Sequence, residues 1–166
     1  MQDKLKILIL DDEKSFTEEL NDFFLSSGFE SFQVNTVGDG KKILSNHIID
    51  LLILDVRLPG VNGLDILKEV KTEYPGMEVI IVSAHGEMDT VIKAMRLGAF
   101  DYLRKPFRYI EIQIAIERTR KYLQMQQKLK QMEERNSLIS KNLEEKINRQ
   151  FIGVSPQILD VFEQAI

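Results

Sequence analysis

The chain has 166 residues, enough for one ordinary domain and an appendage. Hydrophobic residues make up 43% and charged residues 29%, the composition of a soluble globular protein, and a net charge of -4 leaves no basic footprint for nucleic acid. The lack of cysteine excludes a disulfide framework and thiolate chemistry and suits a cytoplasmic protein; the longest apolar run is far short of a membrane span, and Asp3, Lys4 and Lys6 stand before the first apolar run with no signal-peptide core.

Ile7-Leu-Ile-Leu10 reads as the first strand. Lys14 or Ser15 opens a helix through about Ser27, with Phe16, Leu20, Phe23 and Phe24 at helical spacing and Gly28 as its stop. A short strand is expected over residues 32–34, and Asp39 as the cap of a helix carrying Ile43 and Leu44. Leu51 to Leu54 are four aliphatic residues in a row, the mark of a strand buried on both faces. Asp55 follows, and Pro59, Gly60, Asn62 and Gly63 make a loop. Leu64, Leu67, Val70 and Tyr74 form one face of a third helix, ended by Pro75-Gly76. Residues 79–82 are the fourth strand, residues 89–97 a fourth helix with Val91, Ile92 and Met95 inward, and residues 100–103 the fifth strand. Five strands alternating with helices predict an α/β fold, a parallel sheet with helices on both faces and right-handed crossovers.

After Pro106 the character changes. Residues 107–149 hold no Gly or Pro and are rich in Gln, Lys and Glu. Ile110, Ile112, Ile114 and Ile116 alternate, which alone reads as a strand, but Ile112, Ile116 and Leu123 also fit one helix stripe, and the helix is preferred. Beyond it Tyr122, Met125, Leu129, Met132, Asn136, Ile139 and Leu143 fall three and four apart, a heptad register with Asn136 at a core position. Such an Asn fixes register in a parallel two-stranded coil, so a homodimer through this helix is expected; packing of the same face on the chain's own domain is the alternative. Phe151-Ile-Gly-Val-Ser-Pro156 is expected to break the helix, and residues 157–166 resume an amphipathic pattern too short to bury a core.

In a parallel sheet the C-terminal strand ends share one edge, the edge where open α/β sheets bind ligands. That edge carries Asp11, Asp12 and Glu13 after the first strand, Asp55 after the third, Ser83 after the fourth, and Arg104 and Lys105 after the fifth. Three clustered carboxylates repel one another unless a hard cation such as Mg²⁺ compensates them, and Mg²⁺ takes one or two carboxylates, waters and phosphate oxygens. Asp55 is then a candidate nucleophile giving an aspartyl-phosphate, with Lys105 supplying positive charge and Ser83 a hydrogen bond. Taken singly, Asp11-Asp12 and Ser83 also fit as helix or turn caps and Lys105 as a surface lysine.

The set Asp11-Asp12, Asp55 with Leu58-Pro59-Gly60 and Asn62-Gly63, Ser83-Ala84, Gly98-Ala99, and Tyr102 with Lys105-Pro106-Phe107 resembles the receiver domain of bacterial two-component response regulators. The resemblance covers residues 4–123. It implies a flavodoxin-like (CheY-like) doubly wound sheet in the order 2-1-3-4-5, followed here by the long coiled-coil helix. It implies a regulatory domain rather than an enzyme, in which a sensor histidine kinase phosphorylates Asp55. It implies Mg²⁺ on Asp12, Asp55 and the backbone carbonyl of Arg57, with Asp11 acting through water, a switch pair Ser83 and Tyr102, and a cis Lys105–Pro106 bond. Arg57 and His85, two residues beyond Asp55 and Ser83, are expected to flank the phosphoryl group. The tail, with Phe151-Ile-Gly-Val-Ser-Pro156, resembles the opening of the AAA+ domain of sigma-54-dependent activators of the nitrogen-regulatory (NtrC-like) type. The expected division is a receiver at 1–122, a helical linker at 123–149, and an AAA+ opening, cut short, at 150–166. No Gly-x-x-x-x-Gly-Lys-Ser/Thr occurs, so the chain itself is not expected to hydrolyse ATP, nor, lacking a helix-turn-helix, to contact nucleic acid. A stand-alone receiver with a dimerising tail is one alternative. A haloacid-dehalogenase-type phosphohydrolase is another; that family needs an Asp two residues after the nucleophile, where this chain has Arg57.

Overall fold

The apolar runs become strands. The structure, a computed structural model, describes the backbone of residues 4–164 and the side chains of residues 4–152. Strands β1 (Lys6–Leu10), β2 (Glu30–Val34), β3 (Leu51–Asp55), β4 (Glu78–Ser83) and β5 (Asp101–Arg104) pair in parallel throughout, in the order β2-β1-β3-β4-β5. Register runs straight across the centre, Ile9 beside Ile53 and Ile53 beside Ile80. Every residue of β3 and β4 is buried, as continuous apolar runs require between two helix layers. The fold is the doubly wound, CheY-like one expected, with helices α1 (Lys14–Ser26), α2 (Val37–Asn46), α3 (Gly63–Glu73), α4 (Met88–Arg96) and α5 (Tyr109–Gln164).

Strand alternation divides the core. Leu8, Leu10, Leu52, Leu54, Val79 and Ile81 cluster with Ile66, Leu67 and Val70 of α3 and Ala94 of α4. Ile7, Ile9, Ile53, Ile80 and Val82 take the opposite face, where right-handed crossovers place α1 and the start of α5; Leu20, Phe24, Ile112 and Ile116 are buried there. The isoleucine alternation at 110–116 is helical: Ile112, Ala115, Ile116 and Thr119 are buried, whereas Ile110 and Ile114 are exposed.

Four expectations need correction. Thr36, not Asp39, is the N-cap of α2: its backbone is extended and its Oγ1 accepts from the Asp39 N–H at 3.2 Å, while Asp39 lies in the first turn and pairs with Lys42. On α4, Ile92 and Met95 face solvent, 42% and 45% exposed, while Ala94 is buried and Val91 and Leu97 half-buried. The helix carries two apolar stripes, 91-94-97 and 88-92-95, and the one with a small central residue lies against the sheet. The loop after Asp55 contains a two-residue antiparallel ladder, Arg57–Leu58 with Val61–Asn62. Phe151 to Pro156 does not end α5, which continues to Gln164. Pro156 removes one backbone donor, and the helix runs past it.

The chain divides into two compact units, one up to Lys121 and one from Tyr122 onward. In the second, Met125, Leu129, Met132, Ile139 and Leu143 are all exposed helix residues. Among the described residues no helix is long and apolar enough to cross a membrane.

Candidate functional site

Asp11 follows β1 directly and Asp55 is the last residue of β3; both are buried, whereas Asp12 is exposed. Each of the three offers a carboxylate oxygen within 4.8 Å of the others. The site is built by the parallel register, which brings the ends of neighbouring strands to the same height. Asp11 Oδ1 accepts from the Glu13 N–H at 2.9 Å, and Asp55 Oδ1 from the Arg57 N–H at 3.0 Å. Their other oxygens face one cation. Lys105 Nζ donates to Asp11 Oδ2 and lies 3.5 Å from Asp55 Oδ2.

One ammonium does not balance three carboxylates. Burial pushes the Asp11 carboxyl above its usual range; the hydrogen bonds from Lys105 and the Glu13 N–H and the Lys105 charge pull it back, and the Asp55 charge adds to the rise. The donor set is all oxygen, partly buried and short of positive charge, which fits a hard divalent cation such as Mg²⁺.

Lys105 is set in place from three sides. Its N–H bonds to the Ser83 carbonyl at 2.8 Å, linking the ends of β4 and β5, and its bond to Pro106 is cis as expected. Its Nζ lies 3.9 Å from the centre of the Phe16 ring, a cation–π contact, and Phe16 in turn meets the Phe107 ring edge-on. A cleft of about 440 Å³ adjoins it, lined among others by Glu13, Phe16, Ala84, Phe107 and Tyr109.

The remaining expected residues form a second group beside the carboxylates. Ser83 is buried, and its Oγ accepts from the His85 N–H at 3.2 Å rather than meeting Asp55. Tyr102 donates its hydroxyl to the His85 carbonyl. Arg57 Nη1 lies 3.1 Å from His85 Nε2; guanidinium has only donors, so Nε2 accepts. Ser83, Tyr102 and Arg57 therefore all converge on His85.

Asn35, Thr17 and Phe16 carry no motif signal of their own, whereas Gly63 belongs to the Asn62-Gly63 motif. Asn35, after β2, donates its amide to the Asp11 carbonyl at 2.8 Å and to Thr17 Oγ1 at 3.0 Å; Thr17 is fully buried and donates to the Lys14 carbonyl at 3.0 Å. This network ties the acidic loop to β2 and α1. Gly63 sits against the backbone of Asp55: a Cβ there would fall 2.3 Å from the Asp55 carbonyl oxygen and 2.6 Å from Val56 Cα. The Asn35 contact spans 24 residues and has no periodicity to betray it. Phe16 reads from sequence only as one more residue on an apolar helix face.

The family model described as response regulator receiver domain matches residues 7–117. Sporulation initiation phosphotransferase F of Bacillus subtilis (strain 168) is 36% identical over 113 residues, 68% of this chain and 91% of that protein. The DNA-binding transcriptional regulator NtrC of Salmonella typhimurium is 30% identical over 156 residues, 94% of this chain and 31% of that one. The crystal structure of a response regulator receiver domain protein from Clostridium thermocellum superposes with a TM-score of 0.66 at 37% identity, over 72% of this chain and 98% of that chain. The chain spans less than half the length of several curated relatives, NtrC among them. With the family model covering all but the first residue of the sheet, and its carboxylate edge, the chain belongs to the receiver domain family of two-component response regulators.

Proposed function

We propose that this receiver is phosphorylated on Asp55 by a sensor histidine kinase. The observation that carries the reading is the Asp55 carboxylate, buried at a strand end, with Oδ2 facing Lys105 at 3.5 Å and two further carboxylates within reach. An Asp55 oxygen attacks the phosphorus of a phosphohistidine. The new P–O bond forms as the P–N bond breaks, and the electron pair stays on the imidazole nitrogen. Lys105 neutralises charge on the transferred group, and the Ser83 hydroxyl, released from the His85 N–H, hydrogen-bonds a phosphoryl oxygen. Asp12, Asp55 and the Arg57 carbonyl, with Asp11 acting through water, would hold Mg²⁺, which when bound would supply the positive charge that the site lacks. Arg57 and His85 flank the phosphoryl group where water must approach.

The output is a change of assembly. Movement of Ser83 is passed to Tyr102 through His85, to which both are bonded. The receiver is assigned to 1–122 and a helical linker to 123–149, dimerising through Met125, Leu129, Met132, Asn136, Ile139 and Leu143. Residues 150–166 are read as the opening of an AAA+ domain, because similarity to NtrC extends over 94% of this chain. In such a protein, cytoplasmic and sigma-54-dependent, the receiver controls assembly of the ATPase. Intact mass after treatment with a small acyl phosphate and Mg²⁺ tests the first step: one phosphoryl group on wild type and none on Asp55→Asn. Equal labelling of the variant refutes the assignment.

A further inference from the structure

Lys105 is the side chain that brings positive charge to Asp55, and a lysine ammonium has no acceptor and only donors to place. In the structure it donates to Asp11 Oδ2 and faces Asp55 Oδ2 at 3.5 Å. Both carboxylates have other work, Asp55 as the attacking group and Asp11 toward the cation. The neighbour with no other task is the ring of Phe16, whose centre lies 3.9 Å from Nζ. The Lys105 side chain is only 13% exposed, so water screens that attraction weakly.

The kind of neighbour matters. A further carboxylate would bind the ammonium directionally, hold it back from the phosphoryl oxygens and add negative charge to a site already rich in it. An aromatic face attracts the cation without a directional bond. Nζ can therefore move from the carboxylates to an incoming phosphoryl group and remain held. The nearby acid Glu19 is engaged elsewhere, accepting from the Tyr109 hydroxyl. The ring itself is fixed. Thr17 and Leu20, next to it on α1, are buried against the sheet side, and Phe107 meets the ring at 86° with centres 6.0 Å apart.

We propose that Phe16 is a positioning residue for phosphoryl transfer, its ring face holding the Lys105 ammonium beside the reacting oxygen of Asp55. This role rests on the phosphoacceptor reading above, because Phe16 acts through Lys105.

Two measurements on the 166-residue chain test it. The first is the single-turnover rate of Asp55 labelling by acyl phosphate with Mg²⁺. Phe16→Leu keeps apolar bulk and removes the ring, and should slow labelling on the order of tenfold at a temperature where the variant is fully folded. Ring-fluorinated phenylalanines placed at position 16 separate packing from charge. Fluorine drains electron density from the ring face, leaves the shape nearly unchanged and makes the surface no less apolar. The rate should fall step by step as fluorines are added, while urea stability stays level. A flat series overturns the proposal and leaves the phosphoacceptor reading intact. The second measurement is the proton spectrum of the metal-free protein. The Lys105 ε-methylene protons should be shifted upfield by the ring current in wild type and return to their ordinary position in Phe16→Leu. Ordinary shifts in wild type overturn the contact itself. A wild type that keeps the upfield shift yet takes no label on Asp55 refutes the phosphoacceptor reading, and the positioning role with it.

Discussion

Gly63→Ala tests whether the loop after β3 fixes the position of Asp55. The new methyl would lie 2.3 Å from the Asp55 carbonyl oxygen, 2.6 Å from Val56 Cα and 2.9 Å from the Val56 carbonyl oxygen. Real Cβ contacts essentially never fall below 3.0 Å, so backbone must shift by at least about 0.7 Å, and none of the obstructing atoms belongs to a flexible side chain. Overpacking of this kind costs about 1–3 kcal/mol. The larger effect is on chemistry: displacing a reacting group by about 1 Å costs roughly a hundredfold in rate. Urea unfolding gives the stability loss, and single-turnover labelling by acyl phosphate, followed by intact mass, gives the rate. Gly76→Ala is the control, since a Cβ there meets nothing within 4 Å and the backbone is not left-handed. A Gly63→Ala protein with wild-type stability and labelling rate would refute the claim that this contact holds the site.

Asn35→Ala removes two hydrogen bonds under the acidic loop, each worth about 0.5–1.5 kcal/mol; calorimetric titration should show Mg²⁺ affinity falling several-fold even at temperatures where the variant is fully folded, and unchanged affinity would reduce Asn35 to a structural residue. Because burial raises the Asp11 pKa, protonation of that group favours the folded state: its contribution is full below 3.8 and is lost as pH rises through the raised value. In the presence of EDTA, the stability of wild type relative to Asp11→Asn should therefore decline as pH rises above 3.8; a difference that grows with pH contradicts the sign. Arg57→Ala/His85→Ala removes the pair proposed to flank the phosphoryl group and should shorten the phosphorylated lifetime, read by loss of label; an unchanged lifetime counts against any gating by these side chains.

The sheet was legible because its strands are unbroken aliphatic runs, and a run such as Leu51 to Leu54 is stable only between two layers. The gathering of Asp11, Asp55, Ser83 and Lys105 followed from that topology, since each comes at or just after a C-terminal strand end. The helix faces were harder to read. Met88, Ile92 and Met95 make as good an apolar stripe as Val91, Ala94 and Leu97, and only the fit of Ala94 against the sheet separates them. Thr36 and Asp39 are both good capping residues three positions apart, and only the extended backbone at Thr36 distinguishes it as the cap of α2. Asn35 and Phe16 were not visible as site residues: their partners, Asp11 and Lys105, are far along the chain, and nothing local distinguishes an amide that braces a carbonyl from one in solvent.

The most direct test of the central claim is to find the phosphorylated atom. Borohydride cleaves an aspartyl-phosphate by reducing the acyl carbon to an alcohol, leaving homoserine where the acylated aspartate stood. Wild-type protein labelled by acyl phosphate with Mg²⁺, reduced and mapped by peptide mass spectrometry, should carry homoserine in place of Asp55 and unchanged Asp11 and Asp12. Homoserine at Asp11 or Asp12, or a labelled protein with Asp55 intact, would contradict the account.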